Sequence, residues 1–497
     1  MFSKIVRDTF ISGAGEFIYI VAIYTVNLII SRFLGAEGIG IYAQAIAITS
    51  FVSLAALVGF DVGILRFLSL YLTKEDWGHA RGLMSFAPKF IFLTSLVLAG
   101  VVFVTSDFIA NTVLSEPQLT IALRVFAFTV PLVALRTVWL NGIQAFQRTD
   151  YRIYIGRVAV PLVSLGSIAL FLYLGWGWYS VLIGTVLTAS VGGLLAYYVC
   201  RGLQKSIPGT EEEKPQLAVK EWLLFCYPLF ISQLLILASP RMTILMLGFF
   251  HDSAEVGIFE IASKVGLLIL IPLDISSFIL APMIGQMYVQ GDMLRLQRLF
   301  GTVTKWILAL SILIFLVMIF LAEPILAVFG REFVAGVSAL YILAFGHLVN
   351  VSTGASGWML IMSGHPKIHM FNSALSVLLI IALSLLLIPS YGVIGAAIVV
   401  ALVEITINVA RLGAVIFVLR IHPYRWDWIK PGVAGMATLI VAYLLHNEIA
   451  QWPISALWTS IITAASILIF YATFLCLSHW PQIKASYPLL YDNLRRV

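Results

Sequence analysis

Runs of about 20 apolar residues recur along this chain from one end to the other, and they restrict its possible folds severely. Each run is long enough to span the ~30 Å hydrocarbon core of a bilayer. Hydrophobic residues make up 61% of the 497 residues and charged residues only 11%, too few charges to cover a soluble fold of this size. The runs show no alternation of period two, so the sequence predicts an all-α polytopic membrane protein.

The charged connections between the runs predict the topology. Lys and Arg concentrate in alternate connections and at both ends of the chain, whereas the intervening connections hold one clear cation, Arg331. By the positive-inside rule both termini are cytoplasmic and the number of spans is even. The first run has no small-residue cleavage site and is read as a retained span. The predicted spans are 9–33, 38–70, 84–106, 119–146, 152–174, 177–200, 221–249, 256–288, 304–322, 334–363, 368–389, 392–419, 430–446 and 453–478.

A weak internal repeat runs through these fourteen spans at an offset of about 217 residues. It predicts an N-terminal lobe of six spans (1–203), a cytoplasmic linker (204–219), a second six-span lobe (220–420), and two further spans with a cytoplasmic tail (421–497). Because six is even, the two lobes have the same orientation. Such repeats are typical of transporters, whose site lies at the interface of the halves. The repeat matches Gly40-Ile41-Tyr42 with Gly257-Ile258-Phe259, Gly175 with Gly392, Gln147-Arg148 with Gly364-His365, and Glu16 with Gln233.

Cationic side chains inside the spans are candidates for binding an anionic headgroup. A charge at membrane depth costs at least ~2.5–3.5 kcal/mol, so each one requires an explanation. Arg241 follows Pro240 in a kinked span, and Arg136 lies too deep to reach the headgroups easily. Lys264 follows Glu260 by four residues, which fits either an intrahelical ion pair or a pair facing a cavity. Arg66 is a candidate for a cytoplasmic gate.

Acidic side chains inside the spans are candidates for ion coupling, because a buried carboxylate exchanges protons or coordinates Na⁺. The preferred candidate is Glu16, which lies between Gly13 and Gly15; its alternative role is an interhelical contact. The three cysteines show no metal-ligand spacing, and neither a cofactor nor a nucleic-acid partner is expected, only H⁺ or Na⁺. The other four acidic candidates are Asp61, Glu260, Asp274 and Glu404.

Three segments resemble the polysaccharide transporter family, which includes the Wzx-like flippases of O-antigen and other lipid-linked oligosaccharides. The family belongs to the multidrug/oligosaccharidyl-lipid/polysaccharide (MOP) exporter superfamily. Fourteen spans with two six-span halves fit that family over the whole chain. The segments, whose order and spacing are similar to the family's, are Ser31–Tyr42, Gly59–Phe67 and Pro389–Ala397.

The resemblance implies a fold, a substrate and a mechanism. It implies two MATE-like lobes around a cavity, with spans one, two, seven and eight lining it. It implies export of undecaprenyl-diphosphate-linked oligosaccharide from the inner to the outer leaflet of a bacterial or archaeal inner membrane. Alternating access driven by an ion gradient would power this export for cell-surface polysaccharide, lipopolysaccharide included. Polysaccharide polymerase or assembly proteins are then possible partners, and the family's cationic cavity is carried over to Arg66 and Arg241.

Three other functions stay open. A multidrug exporter of the same superfamily would favour an acidic, aromatic cavity, and a lipid II flippase would share the cationic one. The third is an integral-membrane glycosyltransferase or polymerase, which usually needs an acidic residue on a sizeable outer loop. The predicted outer loops here are at most about a dozen residues long, and no catalytic motif stands out, so we do not expect an enzyme.

Overall fold

The computed structural model describes residues 2–205, 215–424, 426–449 and 458–476, and these ranges are almost entirely helical, without a strand. Eleven helices are long and apolar enough to cross a membrane, or twelve when the pair Gln118–Ala127 and Thr129–Ala145, bent by 41°, counts as one span. Two of these helices are each interrupted by a non-helical glycine, Gly35 or Gly392, and so comprise two spans. With these two interruptions the described residues agree approximately with the predicted fourteen spans.

The helices follow one another with short connections. Residues 206–214 of the predicted linker and residues 477–497 of the predicted tail lie outside the described ranges. The α-helices are α1 (Phe2–Leu57), α2 (Phe60–Thr73), α3 (Trp77–Asp107), α4 (Gln118–Ala127), α5 (Thr129–Ala145), α6 (Thr149–Ile153), α7 (Val160–Tyr173), α8 (Trp178–Gln204), α9 (Val219–Phe250), α10 (Ser253–Leu267), α11 (Ile271–Val289), α12 (Met293–Phe329), α13 (Val337–Ser352), α14 (Ser356–Met362), α15 (Pro366–Leu419), α16 (Ile429–Ile449) and α17 (Trp458–Cys476). Short π-helices (Phe108–Val113, Tyr154–Ala159) and 3₁₀ turns (Leu268–Leu270, Arg331–Gly336, Trp426–Trp428) join some of them.

The internal contacts of the chain divide it into two compact units. The first unit comprises Met1–Ile261 and Val377–Ala396, and the second comprises Ala262–Ser376 and Ala397–Val497. The lobe boundaries that the repeat suggests, 1–203 and 220–420, stay a prediction. The core of the second unit is formed by apolar residues of α11, α12, α14 and the end of α15, including Leu280, Phe300, Met359 and Val415.

The first unit contains two separate hydrophobic cores along the same helices. One core includes Ile41 of α1, Phe126 of α4 and Leu182 of α8. The other includes Phe60 of α2, Ala134 of α5, Cys200 of α8 and Trp222 of α9. The stretches of α1 and α8 between these cores carry polar side chains, among them Thr49, Ser53, Thr185 and Thr188. This separation places a polar layer at the middle of these two apolar helices.

Candidate functional site

A cavity of about 660 Å³ lies in the first unit, between its two hydrophobic cores. Its lining runs along α1 from Ile46 to Leu57, which is ~16 Å of helix at 1.5 Å per residue. A cavity of this size, lined by apolar side chains together with ten polar residues, is a candidate binding site, because polar groups inside apolar helices require a partner or a function. The polar residues that line it are Thr49, Ser50, Ser53, Asp61, Thr129, Arg136, Thr137, Thr185, Thr188 and Gln233.

A break in the second span brings Asp61 into the cavity wall. Val58 and Gly59 both have positive φ, at 49° and 81°, so α1 ends there and α2 starts at Phe60. A side chain at position 59 would collide with the carbonyl of Cys226 on α9, so the close approach of the helices requires glycine. Asp61 therefore lies in the first turn of α2, where the free N–H groups and the helix dipole stabilise a carboxylate.

The carboxyl group of Asp61 is only partly satisfied. The residue is 9% exposed, and its Oδ2 accepts a hydrogen bond from Nε2 of Gln233 at 3.3 Å. Its main-chain oxygen accepts another from Nδ2 of Asn141 at 2.7 Å. The second carboxyl oxygen, Oδ1, is buried without a hydrogen-bond partner within the described part of the chain. Asp61 thus offers a strong, unused acceptor beside the cavity.

Arg136 is the cation of this cavity. It lies on α5, and Gly192 of α8 makes room for it, because a Cβ at position 192 would lie 3.1 Å from Arg136 Cδ and 3.2 Å from Nη1. No carboxylate of the described residues pairs with its guanidinium. A half-buried guanidinium without a counterion is a site for an anion.

The other three predicted headgroup cations do not line this cavity. Arg66 is exposed, with its guanidinium 4.0 Å from the centre of the Phe225 ring, a cation–π contact on the surface of α2. Arg241 is half-buried, near the hydroxyl of Tyr42. Lys264 is half-buried on α10 and belongs to the second unit. The expected convergence of several cations is therefore absent from the lining of this cavity.

Glu16 has a cationic partner. Its Oε2 lies 3.2 Å from Nε of Arg157 in an ion pair, and the guanidinium of Arg157 also lies 4.4 Å from the centre of the Tyr19 ring. This geometry matches the interhelical alternative for Glu16 and ties the first span to the π-helix before α7. Of the other acidic candidates, Glu260 is buried on α10, whereas Asp274 is exposed in the first turn of α11.

Glu404 forms a second polar centre, which lies in the second unit. Its Oε2 is 2.8 Å from Nδ1 of His347, a residue that is only 2% exposed. The other ring nitrogen of His347, Nε2, is buried with no hydrogen-bond partner among the described residues. Asn408, which bonds the Glu404 carbonyl, also accepts a 3.4 Å hydrogen bond from Arg411. The pair has the chemistry to hold one proton between an imidazole and a carboxylate.

His347 and the hydroxyl groups of the cavity lining were not predicted from the sequence. His347 stands alone in an apolar run, and the hydroxyl groups are neutral, whereas the prediction used charged residues inside the spans. The sequence pattern that could have identified the hydroxyl groups is their helical spacing, which places them on one face of a helix. Thr49 and Ser53 are four residues apart, and Thr185 and Thr188 are three apart. Within the described ranges, no group of three or more His, Cys, Asp and Glu side chains is placed to hold a metal ion.

A bundle of membrane-spanning helices with a polar cavity has the architecture of a transporter. The sequence of residues 5–288 matches the family of polysaccharide biosynthesis proteins, and the chain belongs to that family. No curated protein matches it.

Solved structures of MOP-superfamily transporters share the fold. The lipid II flippase MurJ, in an inward closed conformation, is 14% identical, with a TM-score of 0.74 over 96% of this chain and 100% of MurJ. An inward-facing MATE-family multidrug resistance transporter is 13% identical, with a TM-score of 0.67 over 83% of this chain and 98% of its own. A MOP transporter from Pyrococcus furiosus is 14% identical, with a TM-score of 0.60 over 84% and 95%. At these identities the likeness establishes the fold, and it confirms the MOP resemblance of the sequence.

Proposed function

We propose that this protein is a flippase for undecaprenyl-diphosphate-linked oligosaccharide. It moves this lipid from the cytoplasmic to the outer leaflet of the cytoplasmic membrane by ion-coupled alternating access. The translocated glycan then becomes available to a polymerase or assembly protein for a surface polysaccharide such as O-antigen. Membership of the polysaccharide biosynthesis family and the MOP fold support this proposal.

The observation that carries the proposal is the unpaired Arg136 in the cavity of the first unit. A half-buried guanidinium without a counterion inside a membrane span is costly, and a ligand that brings its own anion removes that cost. A phosphate group matches the guanidinium with two parallel hydrogen bonds. The diphosphate of a lipid-linked sugar is such a ligand, and it cannot cross hydrocarbon unaided.

Ion coupling is assigned to residues that can change their charge. Within the cavity Asp61 has one open carboxyl oxygen, and in the second unit His347 and Glu404 share a short contact. Either group would favour one conformation when protonated and another when not, which is the requirement for coupling. For Glu260, Asp274, Arg66, Arg241 and Lys264 the roles stay predictions.

A lipid II flippase is the second candidate, and the overall likeness to MurJ favours it. Lipid II carries the same diphosphate, so Arg136 serves both substrates equally well. No feature of the cavity specifically favours a multidrug exporter, since its lining carries one cation, Arg136, and one acidic residue, Asp61.

The test is a deletion strain in which lipid-linked oligosaccharides are quantified and assigned to a leaflet. We expect the oligosaccharide to accumulate on the cytoplasmic leaflet and the surface glycan to disappear. Wild-type protein should restore export, and Arg136→Gln should lower it at least tenfold, since the anion site is lost. The matched control is Arg124→Gln, because Arg124 bonds Ser106 at 3.1 Å and lies outside the cavity lining.

Two other outcomes contradict the proposal. Accumulation of lipid II with cell lysis would identify the peptidoglycan precursor as the substrate. An unchanged lipid pool with greater sensitivity to cationic drugs would identify a multidrug exporter.

A further inference from the structure

Among the polar groups that line the cavity of the first unit, most are neutral. Seven hydroxyl groups and the carboxamide of Gln233 line it, against one guanidinium and one carboxylate. The formal charges of Arg136 and Asp61 therefore cancel. A diphosphate bound here as a whole would bring two negative charges to one cation, next to a carboxylate that repels them. The cavity therefore supplies a cationic partner for one phosphate group, and its other polar groups are left for another part of the substrate.

The hydrogen bonds of the five lining threonines indicate which kind of ligand the cavity can bind. All five donate their O–H to a carbonyl of the preceding turn of helix, at 2.7–2.9 Å. The donor is then used, and the oxygen lone pairs remain to accept hydrogen bonds. The bonds run from Thr49 to Ala45, Thr129 to Phe126, Thr137 to Val133, Thr185 to Val181 and Thr188 to Gly184.

Asp61 adds the strongest acceptor to this set. Its Oδ1 is buried and unpartnered in the described structure, although the residue lines the cavity. A surface of acceptors binds a ligand that carries many O–H donors. Phosphate oxygens only accept hydrogen bonds, so the threonine oxygens and Asp61 offer them nothing. A glycan carries a hydroxyl group on most of its carbons and supplies the missing donors.

The geometry points to this cavity as the binding site for the glycan part of the substrate. The inference rests on the proposed function and refines it: Asp61 and the threonine oxygens accept hydrogen bonds from sugar hydroxyls. Arg136 takes the phosphate that bears the first sugar. A volume of about 660 Å³ lies within the ~300–1,000 Å³ of small-molecule sites. It holds a short oligosaccharide while the polyprenyl tail stays in the lipid.

The experiment measures binding to the purified full-length protein in lipid nanodiscs with two probes. One probe is the free glycan released by mild acid from the lipid-linked pool of the host, and the other is undecaprenyl diphosphate without sugar. We expect the double variant Thr137→Val/Thr188→Val to weaken binding of the free glycan about tenfold, with little change for undecaprenyl diphosphate. Arg136→Gln should weaken binding of undecaprenyl diphosphate, with little change for the free glycan. Asp61→Asn keeps the shape of the side chain and should weaken binding of the free glycan only.

Thr105→Val is the matched control, because Thr105 makes the same bond to the preceding turn, to Val101 at 2.7 Å, outside the cavity. It should leave the affinity for both probes unchanged. The assignment of the glycan site is wrong if the wild-type protein binds undecaprenyl diphosphate but not the glycan, or if the double valine variant binds the glycan normally. Either result leaves the proposed flippase function intact. If wild type binds neither probe, nor the intact lipid-linked oligosaccharide, the proposed function fails as well.

Discussion

The contact of Glu16 with Arg157 supports the second of the two roles predicted for this acid, an interhelical contact. Both side chains are partly exposed, at 28% and 43%, and the contact of 3.2 Å joins two spans. We expect Glu16→Gln and Arg157→Gln each to lower the thermal stability of the protein, because each leaves one charge uncompensated in the membrane. The double variant should recover about 1 kcal/mol of the summed loss, given the partial exposure.

The measurement is a double-mutant cycle on thermal unfolding in nanodiscs, combined with the ion dependence of transport. A structural ion pair leaves that ion dependence as in wild type in all three variants. Two results together would identify Glu16 as the ion-coupling residue instead. The coupling energy of the cycle would be near zero, and transport by Glu16→Gln would no longer depend on the ion gradient.

At the level of single residues, the sequence predicted the charged residues of the candidate site better than the neutral ones. Asp61 and Arg136 stand out in apolar runs, and both line the cavity. The threonines did not stand out, because a threonine that bonds its own helix is tolerated anywhere in a membrane span. His347 was missed since its partner, Glu404, lies 57 positions away in the sequence. Contacts over such separations depend on packing that no local pattern encodes.

At the scale of helices, residues that the repeat relates make one contact of unusual closeness. A Cβ at Gly40 would collide with the carbonyl of Ser253, and a Cβ at Gly257 would collide with the carbonyl of Ala36. The repeat offset relates Gly40 to Gly257 and Ala36 to Ser253, so the two halves of this crossing are reciprocal. Small residues thus let α1 and α10 touch backbone to backbone.

The same substitution should therefore have opposite effects at two glycines of α1. Gly40→Ala should destabilise the protein by about 1–3 kcal/mol, because the added methyl group forces the helices apart. Gly13→Ala should stabilise it slightly, by about 0.5–1 kcal/mol, since nothing lies within 4 Å of the new atom and alanine favours helix. Thermal unfolding of the two variants measures whether each substitution raises or lowers the stability of the protein. Equal stability would show that α1 and α10 do not touch.

Helix boundaries were predictable where glycine interrupts an apolar run at an outer turn. Gly35 and Gly392 fall within the predicted connections 34–38 and 388–391, or next to them, and each is non-helical. The break at Val58 and Gly59 was not predicted, and the sequence favoured one continuous span over 38–70. Valine rarely adopts positive φ, and here the packing of Gly59 against Cys226 of another helix accompanies the break.

For the molecule as a whole, the proposed substrate site and the proposed proton site belong to different units. The cavity with Arg136 belongs to the first unit, and the His347–Glu404 pair belongs to the second. Two such sites are coupled when the ligands of both favour the same global conformation. A pH difference of one unit supplies about 1.4 kcal/mol per proton for this purpose.

Removing the proton site should therefore uncouple transport without abolishing substrate binding. In proteoliposomes that contain lipid-linked oligosaccharide, a pH gradient should accelerate flipping by wild-type protein, and His347→Gln or Glu404→Gln should lose that acceleration. Their affinity for undecaprenyl diphosphate should stay within twofold of wild type, because the anion site lies in the other unit. His79→Gln is the matched control, since His79 also contacts a carboxylate at 2.8 Å, that of Asp76, but is partly exposed. The assignment is wrong if His347→Gln keeps the full response to the pH gradient, or if a Na⁺ gradient alone drives the wild-type protein.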